Sequence, residues 1–129
     1  MFKYSVIVPV YNRPEEIKEL LDSLVSQTIR TFEVVVVEDG STIDSGSVVK
    51  SFKDRLDLHY FVKENTGQGF SRNFGAKEAN GDWIIFFDSD CVIPSNYFET
   101  LETFILDNEI DAFSGPDASS PNFSILQRA

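Results

Sequence analysis

The 129-residue chain has one cysteine, Cys91, so it can close no disulfide within itself and offers no multi-cysteine metal site. That usage fits a reducing compartment, which places the chain in the cytoplasm. Long apolar runs are missing too. The best are Val34 to Val37 and Trp83 to Phe87, far short of the roughly 20 residues that cross a bilayer. Met1-Phe2-Lys3-Tyr4 leads straight into a strand-like run, which argues against a signal peptide. Positive charge is scarce: 11 Lys and Arg stand against 21 Asp and Glu, a net charge of −10. Neither the basic footprint of a nucleic-acid binder nor a polybasic membrane patch is present. A chain this acidic binds an anion only with local compensation: a cation, a helix N-terminus or a placed arginine.

What is present alternates. Apolar runs follow amphipathic stretches in the βαβα order of a mostly parallel sheet covered on both faces. Tyr4 to Val10 is β-branched and ends at the turn-prone Tyr11-Asn12. Pro14 suits a first helical turn, and Ile17, Leu20, Leu21, Leu24 and Val25 recur at helical spacing. Val34-Val35-Val36-Val37 has almost no alternation, as in a strand buried on both faces, and stops at Asp39-Gly40-Ser41. A weak helix is predicted over about Asp44 to Phe52 and a strand over Leu58 to Val62. A helix opened by Gly67-Gln68-Gly69 should run to about Ala79, followed by a strand over Asp82 to Phe87. Pro94-Ser95-Asn96 starts a fourth helix, and Glu109 to Ser114 suggests a fifth strand. From Gly115 the chain reads as loop, with Phe123, Ile125 and Leu126 having nothing obvious to pack against.

In such a sheet, ligands sit outside the carboxyl ends of the strands. Those ends read Pro9-Val10-Tyr11-Asn12, Glu38-Asp39-Gly40-Ser41, Lys63-Glu64-Asn65-Thr66-Gly67 and Asp88-Ser89-Asp90. The last is the strongest signal. Two carboxylates one residue apart, at the mouth of a buried strand, repel unless a cation lies between them. Their hard oxygens suit Mn²⁺ or Mg²⁺, and such an ion would let an acidic protein hold a diphosphate. Asp-Ser-Asp is also ordinary turn composition, so the motif needs its context.

The context supplies a resemblance. Pro9-x-Tyr11-Asn12, Glu38-Asp39-Gly40-Ser41, Asn65-x-Gly67 with Arg72-Asn73, and Gly81-Asp82 leading to Asp88-Ser89-Asp90 together resemble family 2 glycosyltransferases. The resemblance covers about residues 3 to 115. It implies the GT-A fold, a doubly wound, Rossmann-like, mostly parallel sheet with helices on both faces. It also implies inverting transfer of a sugar from a nucleoside-diphosphate sugar, UDP-linked in the favoured reading. Carried over, Pro9 and Tyr11 shape the nucleoside pocket, and Asp39 accepts from the base imide N–H. Arg72 sits near base and phosphates, Asp88 meets ribose or metal, Ser89 joins the donor site and Asp90 ligates the metal. Residues 1–115 would be the nucleotide-sugar-binding part, and 116–129 a truncated start of the acceptor-binding part. The acceptor would be a polysaccharide or lipid-linked glycan, placing the chain in the cytoplasm or at the inner face of the membrane. Self-association through exposed apolar surface is the further expectation.

Each motif carries a plainer reading. Asn12 reads as a helix cap, Gly67 and Gly69 as a helix-opening turn, and Arg72 as a rival ion pair with Glu78 or Glu64. His59, mid-strand, reads as packing, and Cys91 as a small side chain that fits. No catalytic residue is assigned. Among the acids after Asp90 only Asp117 follows the fifth strand, a weak candidate for general base, so the chain is expected to bind donor without transferring sugar. Two rivals remain. A dinucleotide-binding oxidoreductase is disfavoured because Arg72 stands where the third glycine of the Gly67-x-Gly69 motif belongs. A non-catalytic nucleotide-binding α/β module is the alternative.

Overall fold

The computed structural model describes residues 3–107, 112–114 and 123–128, the last two segments as backbone only. Strands and helices alternate: β1 (Tyr4–Val10), α1 (Pro14–Val25), β2 (Phe32–Asp39), α2 (Gly46–Lys50), β3 (Leu58–Lys63), α3 (Gln68–Glu78), β4 (Trp83–Phe87), α4 (Tyr97–Asp107), β5 (Ala112–Ser114) and β6 (Phe123–Arg128). They build one six-stranded sheet in the order β3-β2-β1-β4-β6-β5. The first four strands are mutually parallel, and β6 runs antiparallel to both β4 and β5.

Pleat alternation sorts the side chains between two cores. Val6, Val8 and Val10 of β1 join Val34 and Val36 of β2, with Trp83, Ile85 and Phe87 of β4. This face is covered by Ile17, Leu20, Leu21 and Leu24 of α1, Val49 of α2, and Phe98, Leu101 and Ile105 of α4. Helix α1 begins after Arg13 with Pro14 in its first turn and no side-chain cap. A cap contributes about 1 kcal/mol, whereas burying each of those four side chains contributes roughly 2 kcal/mol, so packing holds the helix. On the other face Ile7, Val35 and Val37 pack with Phe61, Phe74, Ile84 and Phe86. Helix α3 lies hard against that face at Gly75. A Cβ there would come within 2.4 Å of Ile7 Cγ2 and 3.3 Å of Val37 Cγ2.

The expected doubly wound, mostly parallel architecture is present. The sheet departs from expectation at its far edge. Phe123–Arg128, read from sequence as loop with nothing to pack against, is strand β6, inserted between β4 and β5 with Trp83 opposite Arg128 and Ile85 opposite Leu126. Strand β5 therefore joins the sheet only through β6. Helix α2 is shorter than predicted, five residues beginning at Gly46, where glycine and serine offer little helix propensity.

Candidate functional site

The carboxyl ends of β1, β2 and β4 and the loop entering α3 surround a cavity of about 430 Å³. Its lining includes Pro9, Tyr11, Arg13, Asp39, Asn65 and Ser89, and also Gly67 and Gln68 at the start of α3.

Two loops of this rim are tied together. Asn12 takes a left-handed backbone, φ 51°. Its N–H donates to Ser41 Oγ (2.8 Å), and its Oδ1 accepts from Ile43 N–H (2.9 Å). Asn12 is thus no helix cap, since Arg13 holds that position. It bridges the turns after β1 and β2 and keeps Tyr11 half-exposed beside the cavity. Ser41 in turn donates to the fully buried Glu38, whose other oxygen accepts from Ser45 N–H (2.8 Å), Ser45 Oγ (2.7 Å) and Tyr60 OH (2.8 Å). Next to it Gly40 has φ +64°, and a Cβ would meet the Asn65 backbone nitrogen at 2.6 Å. Only glycine allows that turn and the loop entering α3 to touch.

Asp39 holds the same loop from within. Its Oδ1 accepts from Lys63 Nζ (2.7 Å) and Thr66 N–H (2.9 Å), and its Oδ2 from Gly67 N–H (3.0 Å). Burial raises its pKa, but the hydrogen bonds from Lys63, Thr66 and Gly67 and the Lys63 charge outweigh burial and hold the carboxyl below its ordinary value. A carboxylate has about four lone-pair sites. Three are taken, and one, on Oδ2, remains.

Arg72, on the second turn of α3, meets Asp88 rather than Glu64 or Glu78: Nη2 lies 3.1 Å from Asp88 Oδ1. Its buried Nε has no hydrogen-bond partner. Cys91 N–H donates to Asp88 C=O (3.0 Å), closing a turn that Cys91, itself fully buried, anchors to the core. That turn leaves Ser89 at the cavity and Asp90 exposed, with no hydrogen bond or ion pair among the described residues. With Asp39 paired to Lys63 and Asp88 to Arg72, Asp90 is the one of these three aspartates that has no cationic partner among the described residues. Two carboxylates, one unpaired and the other with a single oxygen engaged, form a hard-oxygen set that suits a divalent cation.

Of the residues singled out in the sequence, Pro9, Tyr11, Asp39 and Ser89 share the cavity, while Arg72, Asp88 and Asp90 sit beside it without lining it. Asp117 lies outside the described residues. Gly67, read as a turn alone, both lines the cavity and donates to Asp39; its φ of +103° marks a backbone that glycine favours. Lys63 was legible only as a strand-end residue, and Asn65 as that and as part of the Asn65-x-Gly67 motif, with no place in the site assigned to either.

A second group of potential ligands lies at the opposite end of the strands. His59 Nε2 is 3.1 Å from Asp57 Oδ1 and 3.5 Å from Glu33 Oε1. His59 is the second residue of β3, not mid-strand. Glu33 is already engaged by Ser5 Oγ (2.5 Å) and Asn80 N–H (2.6 Å).

Residues 5–122 match the sequence family described as glycosyl transferase family 2. The chain is similar to the glycosyltransferase GlyA of Streptococcus pneumoniae, 40% identical over 88% of this chain and 16% of that protein. It is likewise similar to the poly(ribitol-phosphate) beta-N-acetylglucosaminyltransferase TarS of Staphylococcus aureus, 38% identical over 86% of this chain and 20% of that protein. The chain thus spans about a fifth or less of these two relatives. Residues 1–349 of TarS, solved in complex with UDP-GlcNAc, superpose with a TM-score of 0.81 at 36% identity, covering 92% of this chain and 36% of that one. The mannosyltransferase PcManGT of Pyrobaculum calidifontis, in complex with GDP-Man and Mn²⁺, gives 0.79 at 28% identity, covering 89% and 35%. No helix among the described residues is long and apolar enough to cross a membrane.

Proposed function

The chain belongs to glycosyl transferase family 2, and on that premise we propose that its cavity binds a nucleoside-diphosphate sugar, UDP-linked, for inverting transfer to an acceptor. The observation that carries this reading is the remaining acceptor site on Asp39, set in a cavity flanked by Tyr11 and leading past Ser89 to Asp88 and Asp90. Pro9 and the Tyr11 ring would bound the nucleoside, and Asp39 Oδ2 would accept the imide N–H of the base. Arg72 would face the phosphates, and Asp88 the ribose or the metal.

Asp90, with Asp88, would hold Mn²⁺ or Mg²⁺. The ion supplies electrostatic neutralisation of the charge that develops on the leaving diphosphate. Without it, a diphosphate arriving here would meet the bare Asp90 carboxylate, and the two nearby guanidiniums are already paired, Arg72 with Asp88 and Arg13 with Glu16. The acceptor in this reading is a polysaccharide or lipid-linked glycan, met in the cytoplasm or at the inner face of the membrane.

Calorimetry with uridine diphosphate, with and without Mn²⁺, tests the reading. Binding is expected only weakly without the ion and at least tenfold more tightly with it, about 1.4 kcal/mol. No binding, or binding indifferent to the ion, overturns it.

A further inference from the structure

Behind the cavity wall stands a lysine that the reading so far leaves unused. Lys63 closes β3, and its side chain is only 14% exposed. Its Nζ donates to Asp39 Oδ1 (2.7 Å), to the Glu64 carbonyl (2.7 Å) and to Thr66 Oγ1. An ammonium has three N–H donors, and all three have acceptors. Lys63 does not line the cavity, whereas Asp39 does.

We propose that Lys63 is a positioning residue that sets base selectivity, because it pins the Asp39 carboxylate and leaves it a single open acceptor site toward the cavity. The proposal rests on the reading of that cavity as a uridine-diphosphate site.

The argument is one of lone pairs and rotation. Lys63 and Thr66 fill Oδ1 from one side, and Gly67 takes one of the two sites on Oδ2. A carboxylate held at three points cannot turn about its terminal torsion, so the fourth site keeps one direction. A base with an N–H at that point completes the set. Cytosine presents a lone pair there instead, and the mismatch leaves two acceptors facing each other. Lys63 also ties Glu64 and Thr66, so the loop that brings the Thr66 and Gly67 donors to Asp39 is fixed by the same ammonium. Remove it, and Oδ1 regains an open site while the loop loses two of its anchors. The carboxylate is then free to turn and meet the exocyclic amine of cytosine. Burial would favour protonating an uncompensated Asp39, whereas the Lys63 hydrogen bond now opposes that.

The test compares uridine and cytidine diphosphate by calorimetry, with Mn²⁺, on the 129-residue chain and two variants. Lys63→Met keeps the length of the stem and removes the ammonium. Thr66→Val keeps the backbone N–H and the side-chain shape but removes the hydroxyl that Lys63 grips. The wild type is expected to prefer uridine diphosphate. Lys63→Met should lower the ratio of the two affinities about tenfold, mainly by weakening the uridine ligand, and Thr66→Val should lower it less. General damage to the fold would weaken both nucleotides together and leave the ratio in place. A wild-type preference that survives unchanged in Lys63→Met overturns the proposal alone. A wild type with no preference overturns the uridine reading and the proposal with it. Should Lys63→Met lack the far-ultraviolet circular dichroism of the folded chain, Thr66→Val decides: an unchanged ratio there overturns the role of Lys63.

Discussion

The two ends of the parallel strands both bury acids, and they use them in opposite ways. At the amino ends, Glu33 accepts from Ser5 Oγ and Asn80 N–H and lies beside His59, while Gly81 N–H donates to Ser5 Oγ (2.7 Å). The close approach of Gly81 completes the closure, since a Cβ there would come within 2.7 Å of Ser5 N. At the carboxyl ends, Asp39 retains one open acceptor site, and Asp90 has no partner among the described residues. Burial alone does not separate an acid closed off by the protein's own donors from one left open to a ligand. What separates them is the acceptor capacity left after the protein's own donors are counted.

Glu33→Ala should break the amino end most severely. It strips acceptors from Ser5 and Asn80 in a buried setting, at a cost of about 3 kcal/mol, or roughly a 10 °C fall in melting temperature. Uridine diphosphate affinity, measured at a temperature where the variant is folded, should stay within about twofold; a larger loss would mean that the two ends are not independent.

Asp90→Asn should do the reverse. It is expected to remove most of the Mn²⁺-dependent affinity, a loss of about 1.5–3 kcal/mol, while the melting temperature of the unliganded chain hardly moves. Calorimetry showing unchanged Mn²⁺-dependent affinity would remove Asp90 from the site.

Acid titration probes both ends at once. Burial raises the pKa of Glu33, but the bonds from Ser5 and Asn80 and the His59 charge lower it further, so its folded value lies below the ordinary 4.5. Asp39 likewise lies below 3.8. A depressed carboxyl pKa contributes stability that is complete above the unfolded value and lost as pH falls through the folded one. Melting temperature should therefore decline as pH drops below about 4.5, and both Glu33→Gln and Asp39→Asn should flatten the decline. Of the two, only Asp39→Asn should alter nucleotide binding. The smallest effect is assigned to His59→Gln. Its nearer contact joins it to Asp57, both side chains about half exposed. Its 3.5 Å contact with Glu33 is longer than the bonds Glu33 takes from Ser5 Oγ and Asn80 N–H, so losing both His59 contacts should change stability by less than about 1 kcal/mol on chemical denaturation.

Local pattern sufficed for most of the scaffold. Val34 to Val37 announces a strand buried on both faces because nothing in it alternates, and Pro14 with the Ile17 to Leu24 spacing announces α1. The clustering of Pro9, Tyr11, Asp39 and Ser89 followed from strand order, because parallel strands deliver their carboxyl ends to one edge. What stayed hidden depends on distant partners. Phe123–Arg128 becomes a strand by pairing with Trp83–Phe87, far away in the chain, and nothing within its six residues records that pairing. Asn12 looks like any cap until Ser41 and Ile43 are seen to claim it. Lys63, a lysine at a strand end, is what a solvated surface position looks like; only the fold brings Asp39 beneath it.

The insertion of β6 between β4 and β5 also dictates an order of events on the ribosome. Strands β1 to β4 can pair as they emerge, each finding its neighbour already made. The outer edge of β4 cannot, because its partner is the last strand of the six. About 40 residues separate the end of β4 from the end of β6, so at 5–20 residues per second the nascent chain carries an unpaired apolar edge for about 2–8 s. Such an edge is a template for any other strand that reaches it. Faster synthesis through this stretch would shorten the interval, while pausing within it would lengthen the time in which neighbouring nascent chains can pair wrongly.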